Sequence, residues 1–419
     1  MSDDDRGTRR RLGAVVLAVL ISQVLLYPGV PDLVVALGAP AGIDAGMWFL
    51  VAEFGAFVSF AVVWGAASDA LGRRVPLVVA GAFGGAASYV ALAAIPDLGF
   101  GFRVALAVRV VGGALTIGAF SLAITMLMDL RGGNGRNMGA AGVAIGLGAA
   151  VGSVVGGALA DANTFYPVYA AAGVLAGAGI LAATVDERDQ LSRDDNAASG
   201  GADGVGDADD VGFSEVLGRA RSTRGILVPL AFGFVDRLTA GFFALVGVYY
   251  FQDPETFGLS AAGAGATLAL FFVPFALLQA PFGALSDRIG RFVPIVAGSL
   301  AYGVVTIGVG VAPIYPLAAG LMVLVGVCGA LMAPATMALV TDLVEPEARG
   351  AAMGLFNVFG SLGFLTGFLV GGGATDAFGY APAFLAVGGL ELGVAIALLP
   401  AVRAIAPDGG MIARFGTDG

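Results

Sequence analysis

Two adjacent charged residues, Asp236 and Arg237, interrupt an otherwise apolar run near its middle, where they can bind ions or exchange protons as their neighbours cannot. An ionisable side chain at bilayer depth costs about 3 kcal/mol or more unless it is paired or hydrated, which makes each one a functional candidate. Adjacent positions diverge by about 100° around a helix, so the two need not bond to each other. Low-dielectric surroundings favour the neutral form of a carboxylate and a nearby Arg opposes it, so Asp236 or Glu53 is placed to exchange a proton. Glu53 and Arg109, in two other apolar runs at similar depth, form a second set. They read either as an ion pair with a functional role or as a buried salt bridge that fixes two helices. Gln23 stands in the first run roughly where Asp236 and Arg237 stand later, as a neutral hydrogen-bonding counterpart. Glu391, in the last run, reads as a packing or lipid-interface residue. Phe242, Phe243, Phe271 and Phe272 read as packing residues.

Other chemistries are excluded by composition. All 21 basic residues are Arg, so no Lys is present to complete a phosphate-binding loop or to form a Schiff base. There is no His, and the one thiol, Cys328, lies inside an apolar run. No disulfide, no His or Cys metal cluster and no cofactor are expected, and the chain does not read as an enzyme.

The elements that must position these residues are membrane helices. Hydrophobic residues make up 58% and charged residues 12% of the 419-residue chain, with a mean hydropathy of +0.90. A soluble domain is roughly 25% charged. A helix needs about 20 residues to cross a hydrocarbon core of about 30 Å. Runs of that length are predicted at 12–31, 47–66, 75–95, 104–128, 139–160 and 167–185, then at 226–250, 262–285, 293–312, 316–340, 351–373 and 382–401. The fold class expected is an all-α integral membrane protein of twelve spans in two six-helix bundles. Its many glycines suit close approach of membrane helices.

Arginines fall on alternate loops. Arg6 and Arg9 to Arg11 precede span 1; Arg73 and Arg74 follow span 2; Arg131 and Arg136 follow span 4; Arg288, Arg291, Arg349 and Arg403 continue the pattern. The opposite loops carry Asp32, Asp44, Asp97, Asp161, Asp253, Glu255 and Asp376, with Arg103 the one basic residue there. The positive-inside rule puts both termini in the cytoplasm. Arg9 to Arg11 before an apolar run also resemble an export signal, but the run is long and eleven more follow. Trp48 and Trp64 suit the two interfaces of span 2. Residues 186–212 are rich in Asp, Gly and Ala and bury too little to fold, which reads as a solvated linker. The domains expected are an N-terminal bundle at 1–185, a linker at 186–224, a C-terminal bundle at 225–403 and a tail at 404–419. The net charge of −10 without Lys points to a salt-adapted prokaryote.

The chain also repeats itself. Gly65, Asp69, Gly72, Arg73 and Arg74 after span 2 are answered by Gly283, Asp287, Gly290 and Arg291 after span 8. In span 5, Gly139, Gly148, Gly152, Gly156, Gly157 and Asp161 are answered in span 11 by Gly354, Gly363, Gly367, Gly371, Gly372 and Asp376, each pair 215 residues apart. Asp129 and Arg136 after span 4 are answered by Asp342 and Arg349 after span 10. Two parallel copies of one architecture are implied.

On these motifs the chain resembles the major facilitator superfamily over essentially its whole length. The family's loop signature after the second helix is matched except that Ala70 replaces an Arg. The second copy keeps Asp287, Arg288 and Arg291, with Phe292 in place of the last basic residue. The resemblance implies that these loops act as a latch that stabilises one access state, the alternative being that the charges only orient the helices. The span 5 glycines resemble the family's antiporter signature, with Ser153 where a Pro is expected, although their recurrence in span 11 fits plain close packing equally. Arg109 with Gly112 and Gly113 resembles the fourth-helix signature. In this family the seventh helix borders the central cavity, which implies that Asp236 or Arg237 meets the substrate.

The function implied is secondary active transport of a small solute, favoured as proton-coupled efflux. An importer or facilitator of a small organic anion and a non-transporting sensor or scaffold are the alternatives. The partners expected are a small-molecule substrate, protons and membrane lipids, with no nucleic acid, in a monomer at the plasma membrane.

Overall fold

The computed structural model describes residues 3–130, 134–185, 225–345 and 348–406, without side chains at 3–5 and 134–141. The expected linker at 186–224, nearly all of the tail at 404–419, Arg131 and the side chain of Arg136 lie outside the described residues. Among those described, twelve helices are long and apolar enough to cross a membrane. Spans 1 to 6 are Arg6–Ala36, Ile43–Leu71, Val75–Ala94, Phe102–Met128, Gly142–Ala162 and Tyr166–Ala183. Spans 7 to 12 are Leu227–Gln252, Ala261–Ile289, Phe292–Gly310, Tyr315–Asp342, Arg349–Phe378 and Tyr380–Ile405.

Span 1 extends past its expected end at 31. Its helix to Val24 passes through a 3-10 turn at Tyr27–Gly29 into a second helix, Val30–Ala36. Pro28 and Pro31 fall in the first turns of these two pieces, where a missing N–H leaves no bond unmade. Span 7 contains a π-helical turn, Phe243–Gly247. Gly72 caps span 2 at φ 58° and Gly290 follows span 8 at φ 87°, so the two loop motifs share a glycine because both chains leave a helix through left-handed backbone.

The described residues fall into two compact units, one within Met1–Asp203 and Gly247–Phe272, the other within Gly204–Val246 and Val273–Gly419. In the first, span 1 packs on spans 4, 5 and 6, while span 3 packs on spans 4 and 6. In the second, span 7 packs on spans 10, 11 and 12, while span 9 packs on spans 10 and 12. The order of partners repeats, as the sequence motifs do. The segment Gly247–Phe272 belongs to the first unit, where Gln252 donates to the Pro28 carbonyl at 2.8 Å. Trp64, expected at a membrane interface, instead lies over Gly118 and donates its indole N–H to the Ala114 carbonyl at 2.6 Å. Trp48 is exposed.

The repeated glycines are contact points. A Cβ at Gly148, Gly152 or Gly156 would meet the Leu17, Ile21 or Leu25 carbonyl of span 1, one turn apart in succession. A Cβ at Gly363 or Gly367 would likewise meet the Phe234 or Leu238 carbonyl of span 7. Lipid gives no hydrophobic drive for helix pairing, so this backbone-to-backbone fit is a main source of cohesion. Gly157 meets the start of span 8 at Ala261, whereas Gly354 faces open space. Ser153 stands in a continuous helix and donates to the Ala150 carbonyl at 2.9 Å.

Replacing Gly363 by Ala forces a methyl against the Phe234 carbonyl and is expected to destabilise by about 1–3 kcal/mol. Gly373→Ala, with nothing nearby, is the control. Thermal unfolding of the purified variants checks this, and equal melting temperatures would refute the packing account.

Candidate functional site

Each unit buries one cluster of polar groups. In the first unit, Glu53 of span 2 and Arg109 of span 4 form a buried ion pair. Tyr89 of span 3 donates to Glu53 Oε1 at 3.1 Å. The Arg109 guanidinium carbon lies 4.4 Å from the Phe49 ring centre and 5.7 Å from that of Tyr89, which adds cation–π attraction. Arg109 Nε is buried with no hydrogen-bond partner. Glycines make the pair reachable. A Cβ at Gly113 would collide with the Glu53 carbonyl, and one at Gly112 with the Ser88 hydroxyl. Span 4 therefore seats on spans 2 and 3 one turn beyond Arg109.

In the second unit, Asp236 is buried while the Arg237 side chain is 43% exposed. Arg237 Nε lies 3.9 Å from Asp236 Oδ2, a long contact that follows from the divergence of neighbouring helical positions. The Arg237 stem lies over Gly360 of span 11, and Asp236 faces the Gly329 position of span 10. Gln23 is buried in span 1.

The cluster around Asp236 also contains Glu391, which the sequence left between packing and a lipid interface. Glu391 does not face lipid; it is fully buried between spans 7 and 9. Ser299 Oγ donates to Glu391 Oε1 at 2.5 Å, and Thr239 Oγ1 is 3.2 Å from Glu391 Oε2. A signal was present in the glycines: Gly388, one turn before Glu391, meets the Gly303 carbonyl of span 9, and the two helices approach through their backbones. Tyr302 and Thr306 of span 9 also bury hydroxyls with no hydrogen-bond partner.

The loop residues form two ion-pair knots. Arg74 pairs with Asp129, tying the start of span 3 to the end of span 4. Arg291 bonds Asp287 at 2.5 Å, Asp342 at 3.0 Å and the Ser286 hydroxyl at 3.0 Å, tying the end of span 8 to the end of span 10. Partial burial pulls the Arg291 guanidinium down, but its bonds to the two carboxylates raise it above its ordinary range, so it stays charged. The repeat aligns Arg291 with Arg73, yet Arg74 makes the bond in the first unit, since Phe292 stands at the second position of the later copy. Asp69, Arg73, Arg288 and Arg349 are exposed.

Twelve apolar helices carrying buried charge clusters define a multi-pass membrane transporter. The family model of the Major Facilitator Superfamily matches residues 12–254 and 233–409, and the chain belongs to that superfamily. This sets aside the sensor or scaffold alternative. Among proteins it is similar to, multidrug resistance protein MdtG of Yersinia enterocolitica is 30% identical over 153 residues, 35% of this chain and 36% of that one. Multidrug efflux pump LfrA of Mycolicibacterium smegmatis is 29% identical over 117 residues, covering 28% of this chain and 23% of the pump. These matches span well under half of the relatives' length. In fold, the chain is similar to a bacterial homolog of the human lysosomal transporter Spinster, with TM-score 0.76 and 15% identity over 97% of this chain and 98% of that one. It is also similar to the human organic anion transporter MFSD10, with TM-score 0.63 and 21% identity over 95% and 100%.

Removing one member of the Glu53–Arg109 pair strands a buried charge, so Glu53→Gln and Arg109→Met are each expected to destabilise by about 3–5 kcal/mol. The double variant removes both charges and is expected to recover most of the loss. Thermal unfolding of all three checks it. A double variant no more stable than the singles would contradict a mainly structural pair.

Proposed function

We propose that this transporter exports a small solute in exchange for protons by alternating access, with Asp236 taking up and releasing the coupling proton. The observation that carries this reading is the weak compensation of Asp236. It is buried, and among the described residues its one ion-pair contact is the 3.9 Å approach to Arg237. A carboxylate so placed gains by taking a proton whenever its one cation turns away. Glu53, by contrast, is held by Arg109 and Tyr89 and is less free to change its charge. Similarity to the multidrug resistance protein MdtG and the multidrug efflux pump LfrA supports drug-like solutes and efflux. The arginine bias of alternate loops supports cytoplasmic termini.

Arg237 favours a second reading. It is the more exposed member of the pair, and a half-exposed guanidinium suits a carboxylate-bearing solute. On that reading the chain imports or facilitates a small organic anion.

Purified protein in liposomes tests both. Exporter and proton carrier predict that a pH gradient drives movement of ethidium, a planar lipophilic cation, and that Asp236→Asn abolishes this driven movement while counterflow exchange of ethidium persists. An Asp236→Asn protein with full pH-driven movement would refute the assignment. Exchange of benzoate but not ethidium, lost in Arg237→Gln, would instead establish the anion reading.

A further inference from the structure

We propose that Glu391 is a second proton-binding carboxylate, which shares one proton with Asp236 where span 7 meets spans 9 and 12. This rests on the proton-coupled reading and deepens it. Thr239 has one hydroxyl hydrogen, and two acceptors stand within reach of it, the Val235 carbonyl at 3.1 Å and Glu391 Oε2 at 3.2 Å. If Thr239 bonds back to its own helix, its contact with Glu391 is a hydrogen bond only when Glu391 carries the proton and donates it. The other oxygen, Oε1, is already served by Ser299 at 2.5 Å. The pocket thus has a place for one added proton, on Oε2.

The charges around Glu391 point the same way. No Arg forms an ion pair with it among the described residues, and an ionised carboxylate fully buried among hydroxyls would be strongly disfavoured. The groups that face it are Asp236 from span 7, Tyr302 from span 9 and Cys328 from span 10, with Arg237 acting on the same cluster through its reach to Tyr302. The ionisable residues of span 11, Arg349 and Asp376, are exposed at its two ends. Asp236 and Thr239 are three residues apart and share one helix face, so Asp236 stands one turn from the hydroxyl that Glu391 meets. Tyr302 supplies an independent sign of an unfilled role: its hydroxyl is buried, has no partner, and lies within electrostatic reach of both carboxylates.

Asp236 lies one helical turn from the hydroxyl that Glu391 meets, and the negative charge of one acid makes ionising the other less favourable. Passing the proton from Glu391 to Asp236 moves one negative charge the other way, and the charge of the pair is unchanged. Asp236, beside the half-exposed Arg237, is the member that exchanges with the outside. Glu391 is the member that keeps the proton.

The test uses the whole protein in lipid nanodiscs and liposomes, with ethidium as the transported probe. Infrared titration of the wild type is expected to contain a protonated-carboxyl band that Glu391→Gln removes, since Gln keeps the shape and the hydrogen bonds of the protonated acid. Glu391→Gln is expected to lose pH-driven movement of ethidium and to retain counterflow. Ser299→Ala, a milder change, is expected to shift that infrared band and the pH midpoint of driven movement, with counterflow retained. The proposal is overturned if Glu391→Gln keeps full pH-driven movement, if it leaves the band unchanged, if it folds yet loses counterflow too, if Ser299→Ala shifts neither readout, or if a sodium gradient drives movement in place of pH. A band that titrates at Glu391 in a protein with no pH-driven movement supports the site while refuting proton-coupled export. PH-driven movement unaffected by Asp236→Asn refutes the carrier and leaves the Glu391 band as a separate measurement of this site.

Discussion

Hydrocarbon offers no hydrogen bonds, so the charged side chains buried among these helices depend on partners that neighbouring helices supply. That constraint ties the glycines to the charges. Arg109 reaches Glu53 because Gly113 lets the backbones of spans 2 and 4 touch at the Glu53 carbonyl. Glu391 reaches Ser299 because Gly388 and Gly303 let spans 12 and 9 touch one turn away. A methyl at either contact would separate the helices by more than a hydrogen bond tolerates. Close packing in this protein is therefore a condition for burying charge, as well as a source of cohesion.

The two units apply this rule to the same scaffold with different residues. Spans 5 and 11 use one glycine ladder to lie along spans 1 and 7. The loop knots use the same acidic ends of spans 4 and 10 but take their Arg from adjacent positions, Arg74 in one copy and Arg291 in the other. A flexible side chain at the tip of a turn can exchange register with its neighbour at little cost. The backbone beneath it cannot, which is why Gly72 and Gly290 keep their left-handed conformation in both copies.

The architecture was legible because hydropathy over twenty residues is a consequence of the bilayer itself. All twelve spans were read from the sequence, and so was the possible pairing of Glu53 with Arg109. Three details escaped because they depend on tertiary contact. The extension of span 1 to Ala36 passes through a Pro-bearing 3-10 turn that hydropathy treats as an end. Trp64 looked like an interfacial anchor, since sequence alone cannot tell a lipid headgroup from the Ala114 carbonyl as its acceptor. Glu391 looked peripheral because its partners, Ser299 and Thr239, are single hydroxyls far away in the chain. A charge partner leaves a mark in the sequence; a hydroxyl partner scarcely does.

The difference between Glu53 and Glu391 bears on which half suits the proposed proton carriage. A group moves protons only if both of its charge states are tolerable. Glu53 has a guanidinium at bonding distance, two aromatic faces around that guanidinium and a phenol on its second oxygen, so losing its charge would strand Arg109. Glu391 has hydroxyls alone, and Ser and Thr hydroxyls can turn from donor to acceptor without moving their oxygens. Rotating hydrogens let this pocket hold the protonated acid without stranding a charge, which a fixed cation does not. The first unit holds its charge with a fixed cation, whereas the second surrounds its acid with hydroxyls, and the proposed proton coupling rests on that asymmetry.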